Sequence, residues 1–187
     1  MSEAEGLEIA LPNGRVRLGS REMTVEHGAR SQTFRYADAE SLRLSFRPRS
    51  LAFHAFRLDL RMTDGRTLRL HNIEATPGAI FKPYQRWDDG FSRLARELVR
   101  RIARDAPRAR RAAGFSSLRW RAAALAGVGA VGFVALRAMQ ALSVGESAGA
   151  LVAMGGAAAM AAFMAPFLTR NQPRPLDPDA IPPQVLP

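Results

Sequence analysis

The residue types that do chemistry in enzymes are few in this chain and poorly spaced for it. The three histidines, His27, His54 and His71, stand far apart and form neither an H-x-x-x-H nor an H-E-x-x-H pattern, so a zinc centre is not expected. There is no cysteine, which excludes thiolate metal sites, cysteine nucleophiles and a disulfide scaffold. No serine sits in a G-x-S-x-G elbow, and the carboxylates are scattered. The pair Asp88 and Asp89 reads as helix-start chemistry, where a carboxylate meets the positive end of the helix dipole. Gly127 to Gly132 matches G-x-G-x-x-G, but a dinucleotide site needs a strand before it and an acid at the end of a second strand. The residues before it, Arg121 to Ala126, favour helix instead. No catalytic, cofactor-binding or metal-ligating residue is assigned, and a non-enzymatic role is expected.

What remains is arginine. Of the 27 basic residues all but Lys82 are arginine, against 17 acids, for a net charge of +10. The whole excess lies in residues 1–121, and residues 122–187 are neutral. A basic chain can bind nucleic acid, but that chemistry wants aromatic side chains interleaved with the charges. Here the basic residues gather beside long apolar runs, the pattern of a membrane protein's cytoplasmic flanks.

Ala122 to Leu136 is uninterrupted by charge. Counted over 120–142, a helix would reach about 34 Å, enough for a bilayer core. A second run over 148–168 has no charged residue, and Pro166 falls in its last turn. The five residues between them, Ser143 to Ser147, demand an antiparallel hairpin. A buried hairpin of a soluble bundle is the alternative, disfavoured by the length and the basic flanks. Arg137 lies near the far end of the first run, where it can snorkel to the interface. Trp120 sits where an interfacial aromatic anchor belongs. Arg108, Arg110, Arg111, Arg119 and Arg121 precede the hairpin and Arg170 and Arg174 follow it, while its loop carries only Glu146. Both termini are therefore expected in the cytoplasm, with the protein multi-pass in the inner membrane. The acidic start has no apolar run and reads as no cleavable signal.

Gly149, Ala153, Ala157, Ala161 and Ala165 recur every four residues in the second run, with Met154, Met160 and Phe163 off that line. Small residues let helix backbones approach closely. The stripe is expected to be the packing face, within the hairpin or between copies in a homo-oligomer.

The elements that must position any site lie ahead of these helices. Val16 and Leu18, Met23 and Val25, Phe34 and Tyr36, Leu42 to Phe46, Phe56 to Met62, and Leu68 and Leu70 alternate with polar residues, giving six strands. Leu7, Ile9 and Leu11 offer a seventh. Gly28 marks one hairpin turn, and Asp64-Gly65 is the strongest hairpin signal. After Pro77 and Gly78 the period changes. Phe91, Leu94, Ala95, Leu98, Ile102 and Ala103 fall at helical spacing, opposite a face of arginines, until Pro107 stops the helix. The fold class is α+β: a small antiparallel sheet or barrel of six to seven strands, capped by an amphipathic helix, then a two-helix transmembrane hairpin.

Phe34–Leu44 (FRYADAESLRL) and Met62–Leu70 (MTDGRTLRL), followed by the helix, resemble the bacterial pleckstrin-homology-like domains found beside membrane helices. The resemblance covers about residues 15 to 105. It implies a small barrel closed by a helix, acting as a binding or scaffolding module with no catalytic residues to carry over. The chain then divides into an N-terminal segment 1–12, the β module 13–106, a basic juxtamembrane linker 107–119, the helices 120–142 and 148–168, and a proline-rich disordered tail 169–187. Arg15, Arg17 and Arg21 in the first hairpin read as solvated strand-face charge. Arg100, Arg104, Arg108, Arg110, Arg111, Arg119 and Arg121 are the candidate contacts to anionic lipid head groups. The expected function is an interaction or scaffold module held at the inner membrane face by its hairpin. It would have an unidentified membrane or cytoplasmic protein partner, no cofactor and no nucleic acid. The alternative is a small oligomeric transport or channel subunit.

Overall fold

The computed structural model describes residues 6–11, 14–48, 54–73 and 86–187. Pro77, Gly78, Lys82 and the side chain of His54 lie outside the described residues. The chain forms two compact units, one from Met1–Gly114 together with Arg174–Pro187 and the other from Phe115–Pro173.

The first unit holds two sheets. Strands β1 (Leu7–Leu11), β2 (Gly14–Leu18), β3 (Glu22–His27) and β4 (Arg30–Arg35) form an antiparallel meander in sequence order. The period-two pattern is realised directly. Ile9, Leu11, Val16, Leu18, Met23, Val25 and Phe34 are buried, and their neighbours along each strand face out. A 3-10 turn, Tyr36–Asp38, leads to the second sheet, whose strands are β5 (Ala39–Pro48), β6 (His54–Met62), β7 (Thr67–His71), β8 (Arg110–Ala113) and β9 (Arg174–Pro175), in the order β7-β6-β5-β8-β9. The β6–β7 turn falls at Asp64-Gly65 as the sequence requires. Gly65 has φ +85°, and Asp64 accepts the backbone N–H of Arg66 at 2.9 Å.

Helix α1 (Asp88–Asp105) puts Phe91, Leu94, Ala95, Leu98, Val99 and Ile102 into the same core as both sheets. Its start is fixed by a residue the sequence pattern did not flag. Asn72 is fully buried; its Oδ1 accepts the N–H of Phe56 at 2.7 Å and its Nδ2 donates to Asp88 at 2.7 Å. Its carbonyl accepts the N–H of Trp87, so one side chain and one peptide join β6 to the helix entry. At the other end the arginine face of α1 grips the β2–β3 turn. Arg101 and the Tyr36 hydroxyl both donate to the carbonyl of Gly19, and Arg104 donates to that of Ser20 at 2.6 Å. Burial pushes the Tyr36 phenol above its ordinary value, against the opposing pull of Arg101. Arg101 stays more basic than usual despite its own burial, because it hydrogen-bonds Glu97 and lies over the Tyr36 ring.

Three sequence expectations need correction. There are more than six to seven strands, and the second sheet is not wholly antiparallel: β8 runs parallel to β5, pairing Ser41 with Arg110 and Leu44 with Ala113. Part of the presumed juxtamembrane linker 107–119 is therefore a sheet strand; the leading strand offered at Leu7, Ile9 and Leu11 forms as β1. The presumed disordered tail is ordered. β9 pairs Ala112 with Pro175 and Ala113 with Arg174, the N–H of Leu176 donates to the carbonyl of Arg111, and Leu176, Val185 and Leu186 are buried in the core. The prolines do not prevent this. Pro175 sits on the outermost strand, where a missing donor costs no ladder bond, and Pro182 leads into a short 3-10 turn, Pro183–Val185.

Leu176→Ala should lower the unfolding free energy by about 2–4 kcal/mol, the range for truncating a buried leucine, whereas exposed Gln184→Ala should change it by less than about 0.5 kcal/mol. Urea titration of the detergent-solubilised chain measures both; equal, small effects would mean the tail does not belong to the core. Tyr36→Phe should cost about 1 kcal/mol near neutral pH through the lost hydrogen bond. It should also alter the alkaline limb. A phenol whose folded pKa is raised contributes stability that is complete below about pH 10 and is lost as pH rises through the folded value. Unfolding midpoints at about pH 8 and pH 11 should therefore differ less in the Phe variant than in the parent.

Candidate membrane-interface site

The second unit is a helical hairpin. Helix α2 (Ser117–Ser143) has 27 residues and α3 (Ser147–Arg170) has 24, so they rise about 40 and 36 Å, each longer than a bilayer's hydrocarbon core. Both contain 18-residue windows of mean hydropathy 1.8. The Ser116 hydroxyl accepts the N–H of Arg119 at the first turn of α2. Gly145, at φ +82°, allows the three-residue reversal between the helices. The G-x-G-x-x-G motif lies wholly inside α2, with no strand leading directly into it; of its glycines Gly127 is buried, while Gly129 and Gly132 are exposed.

The two helices meet along a seam different from the four-residue stripe. In α2 the less exposed positions are Trp120, Ala123, Ala124, Gly127, Ala130, Val131, Val134, Ala138 and Ala141; in α3 they are Ala150, Ala153, Ala157, Met160, Met164, Phe167, Leu168 and Arg170. A line with intervals of three and four runs through Trp120, Ala124, Gly127, Val131, Val134, Ala138 and Ala141 and through Ala150 to Phe167, with Ala123, Ala130 and Leu168 beside it, which keeps a seam on one face of each helix, as in a left-handed supercoil. A strict four-residue repeat drifts off that face. Of the stripe, Ala153 and Ala157 lie on the seam, while Gly149, Ala161 and Ala165 are exposed in the hairpin. Met160, expected off the packing line, is on it. Gly127 is the closest approach: a Cβ there would stand 2.7 Å from Cε of Met164.

At the end of the hairpin where the chain enters and leaves, a set of contacts ties the helices together. The Trp120 indole N–H donates to the carbonyl of Leu168 at 2.9 Å, Phe115 and Phe167 meet edge-on at 5.4 Å, and the N–H of Phe115 donates to the carbonyl of buried Asn171. Arg119 and Arg121 are exposed and Arg170 is half-buried at this same end. Near the other end Arg137 is exposed and donates to Gln140 at 3.0 Å. The turn beyond carries Glu146 and no basic residue.

The remaining candidate arginines belong to the first unit and are not equivalent. Arg100 is exposed on α1. Arg104 is exposed, but its guanidinium is engaged by Asp105 at 2.6 Å as well as by the carbonyl of Ser20, and this partner holds the Asp105 carboxyl below its usual value. Arg108 and Arg110 are exposed and line one groove with Glu40 and Asp105. Arg111 is half-buried: in the parallel register it shares a face with Leu42, and its Nη1 is enclosed with no hydrogen-bond partner among the described residues. Arg15 and Arg17 both reach Glu8 across the β1–β2 pair, at 2.9 and 3.4 Å. Among the described residues no cluster of histidine and carboxylate side chains is grouped to hold a metal ion.

Surface chemistry separates the two units sharply. Among the described residues, the twelve large hydrophobic side chains that are exposed all fall between Leu118 and Phe163, among them Leu118 at 77%, Leu125 at 74% and Val152 at 77%. The chain is thus an α+β protein with two helices long and apolar enough to cross a membrane. It matches no family model, no curated protein and no solved structure.

Gly127→Leu should force Met164 away and weaken the hairpin by about 1–3 kcal/mol, while Ala161→Leu, on the exposed side, should be near neutral. Helicity followed through a denaturing-detergent titration separates the two variants. A larger loss from Ala161→Leu would restore the four-residue stripe as the packing face.

Proposed function

We propose that the chain is an integral membrane protein whose hairpin spans the bacterial inner membrane and holds a pleckstrin-homology-like interaction module at the cytoplasmic face. The observation that carries this reading is the confinement, among the described residues, of exposed large apolar side chains to α2, α3 and their turn. A surface of that kind is costly in water and is satisfied by lipid. The hairpin does not bury these side chains in itself, which argues against a core pair of a soluble bundle.

The order of elements supports the module's kinship: a four-strand meander, a three-strand meander and one helix run through residues 7–105 in the succession that the family resemblance implies. Its capping role is consistent with the apolar face α1 buries. Connectivity supports the topology. β8 and β9 are neighbours in one sheet, and the hairpin is the chain between them. Two helices joined by a three-residue turn and tied to adjacent strands have both free ends on one side of the bilayer. The arginines Arg119, Arg121 and Arg170 lie at that end and Glu146 at the other, which makes the module's side cytoplasmic. Exposure leaves Arg100, Arg108 and Arg110 of the first unit and Arg119 and Arg121 of the hairpin as the candidates for anionic head groups, each contributing about 1 kcal/mol near a charged leaflet. Trp120 serves as the interfacial anchor, and Arg137 reaches the far head groups.

The chain should stay in the pellet on alkaline carbonate extraction of bacterial membranes. Reporter fusions should be active outside when inserted at Glu146 and inside at either terminus. Release by carbonate, or an outward-facing reporter at a terminus, would sink the reading.

A further inference from the structure

Among the described residues, the two sheets of the first unit end in strands β4 and β7, and these two edges are stapled at the end where β6 turns into β7. There the Arg66 guanidinium donates to the carbonyl of Thr33 at 3.2 Å and lies 5.1 Å from the centre of the Phe34 ring. Toward the β3–β4 turn a groove of about 330 Å³ opens between the strands. Val25, Leu68 and Leu70 line its apolar part, and His27, Arg30, Gln32 and Arg69 its polar part.

The register shows why the groove is open. Met23 pairs with Phe34, Val25 with Gln32 and His27 with Arg30, so Gln32 and Arg30 occupy core-facing positions in line with buried Phe34. Both are exposed. Where an apolar side chain would continue the core, the sequence supplies an amide and a guanidinium. The same ladder fixes the backbone. Tyr36 N–H donates to the carbonyl of Arg21, and alternation along the antiparallel pair then turns the peptide groups of Ser31 and Thr33 away from β3. The Arg66 contact to the Thr33 carbonyl agrees with that direction. Among the described residues no strand pairs with this edge of β4.

We infer that this groove is a docking site for an extended acidic–aliphatic peptide segment of a partner protein, laid along β4. Its backbone would pair with Ser31 and Thr33, the β-strand addition mode of peptide recognition. An aliphatic side chain would rest on Val25, Leu68 and Leu70. A carboxylate two residues away projects to the same face and would meet Arg30 beside His27. The choice of occupant rests on charge: Arg30, exposed in the groove's lining, has no acid beside it there, Arg69 is shared with Asp59 at 3.6 Å, and the chain carries a net charge of +10. This deepens the interaction-module reading by naming the partner's chemistry, and it does not depend on the hairpin crossing a membrane.

The test is selection of a phage-displayed random heptapeptide library against the full chain in lipid nanodiscs, with empty nanodiscs as counter-selection. Enriched peptides should carry Val, Ile or Leu two residues from Asp or Glu. They should bind Arg30→Glu at least tenfold more weakly, bind Arg93→Glu on α1 unchanged, and slow amide exchange at Ser31 and Thr33. Ser31→Pro, which removes an outward donor, should also abolish binding; should that variant misfold, the exchange measurement still decides. No enrichment, equal binding to Arg30→Glu, or protection elsewhere would overturn the proposal. So would protection of Ser31 and Thr33 that grows with protein concentration alone, since the occupant would then be a second copy. None of these outcomes alters the carbonate or reporter results, so the two readings fail separately.

Discussion

An apolar surface that water will not tolerate governs the design of this chain. The large side chains from Leu118 to Phe163 point outward from a hairpin whose seam is built from alanine, glycine and methionine, with few larger groups. The usual arrangement of a soluble protein is reversed there: small residues inside, large ones outside. Close packing along a seam of small groups depends on van der Waals contact between backbones, the force left to helices once the surroundings are as apolar as the side chains. The other properties of the hairpin follow from this inversion. Its backbone donors and acceptors are satisfied within the helices, its polar anchors lie at the ends, and arginine is excluded from α3 until its last residue.

The sheet unit obeys the opposite rule. Among its described residues the core takes nearly every large apolar side chain, and several arginines lie on the surface in specific attachments. Arg101 and Arg104 hold the β2–β3 turn to α1, Arg66 staples two strand edges, and Arg57 pairs with Asp59 at 2.5 Å on the second sheet. Arginine suits such work, since its planar fork satisfies carbonyls and carboxylates from a fixed geometry. Much of the charge that gives the chain its basic character is thereby turned inward to structure, and a smaller set is left for encounters with other molecules.

How far the sequence disclosed this depended on the length of each pattern. Strands with three or more alternating positions, such as Leu42 to Phe46, were legible, as was the turn at Asp64-Gly65 and the helix from Phe91 to Ile102. β8 was not, because Arg110 to Ala113 has no apolar alternation and pairs through its backbone alone. β9 is two residues long and includes a proline, so nothing local marks it; its partner Ala112 is distant in sequence. Within the hairpin the seam departs from the four-residue stripe, and the reason it was not legible is compositional. With 33 alanines in the chain, a repeat of four arises easily beside the true alternation of three and four, and only burial distinguishes them. Asn72 gave no signal at all, since a buried amide is defined by partners that folding brings together. The arginines were legible as a basic flank but not as individuals, and Arg111 turns inward through the parity of a strand that the sequence hid.

The pairing of β8 with β9 also imposes an order on biosynthesis. A ribosome delivers the first strands, α1 and β8 before either apolar helix, and Leu176, Val185 and Leu186 only after both. Until they arrive, β8 keeps one edge open and the core lacks three of its side chains. On the topology proposed above, the nascent module would wait, incompletely closed, for the chain to return from the bilayer, and an α3 that failed to bring its end back to the side from which α2 departed would keep β9 from β8. Correct topology and completion of the core would then be a single event, and a chain inserted the wrong way would be left with an unfinished fold for quality-control proteases to recognise.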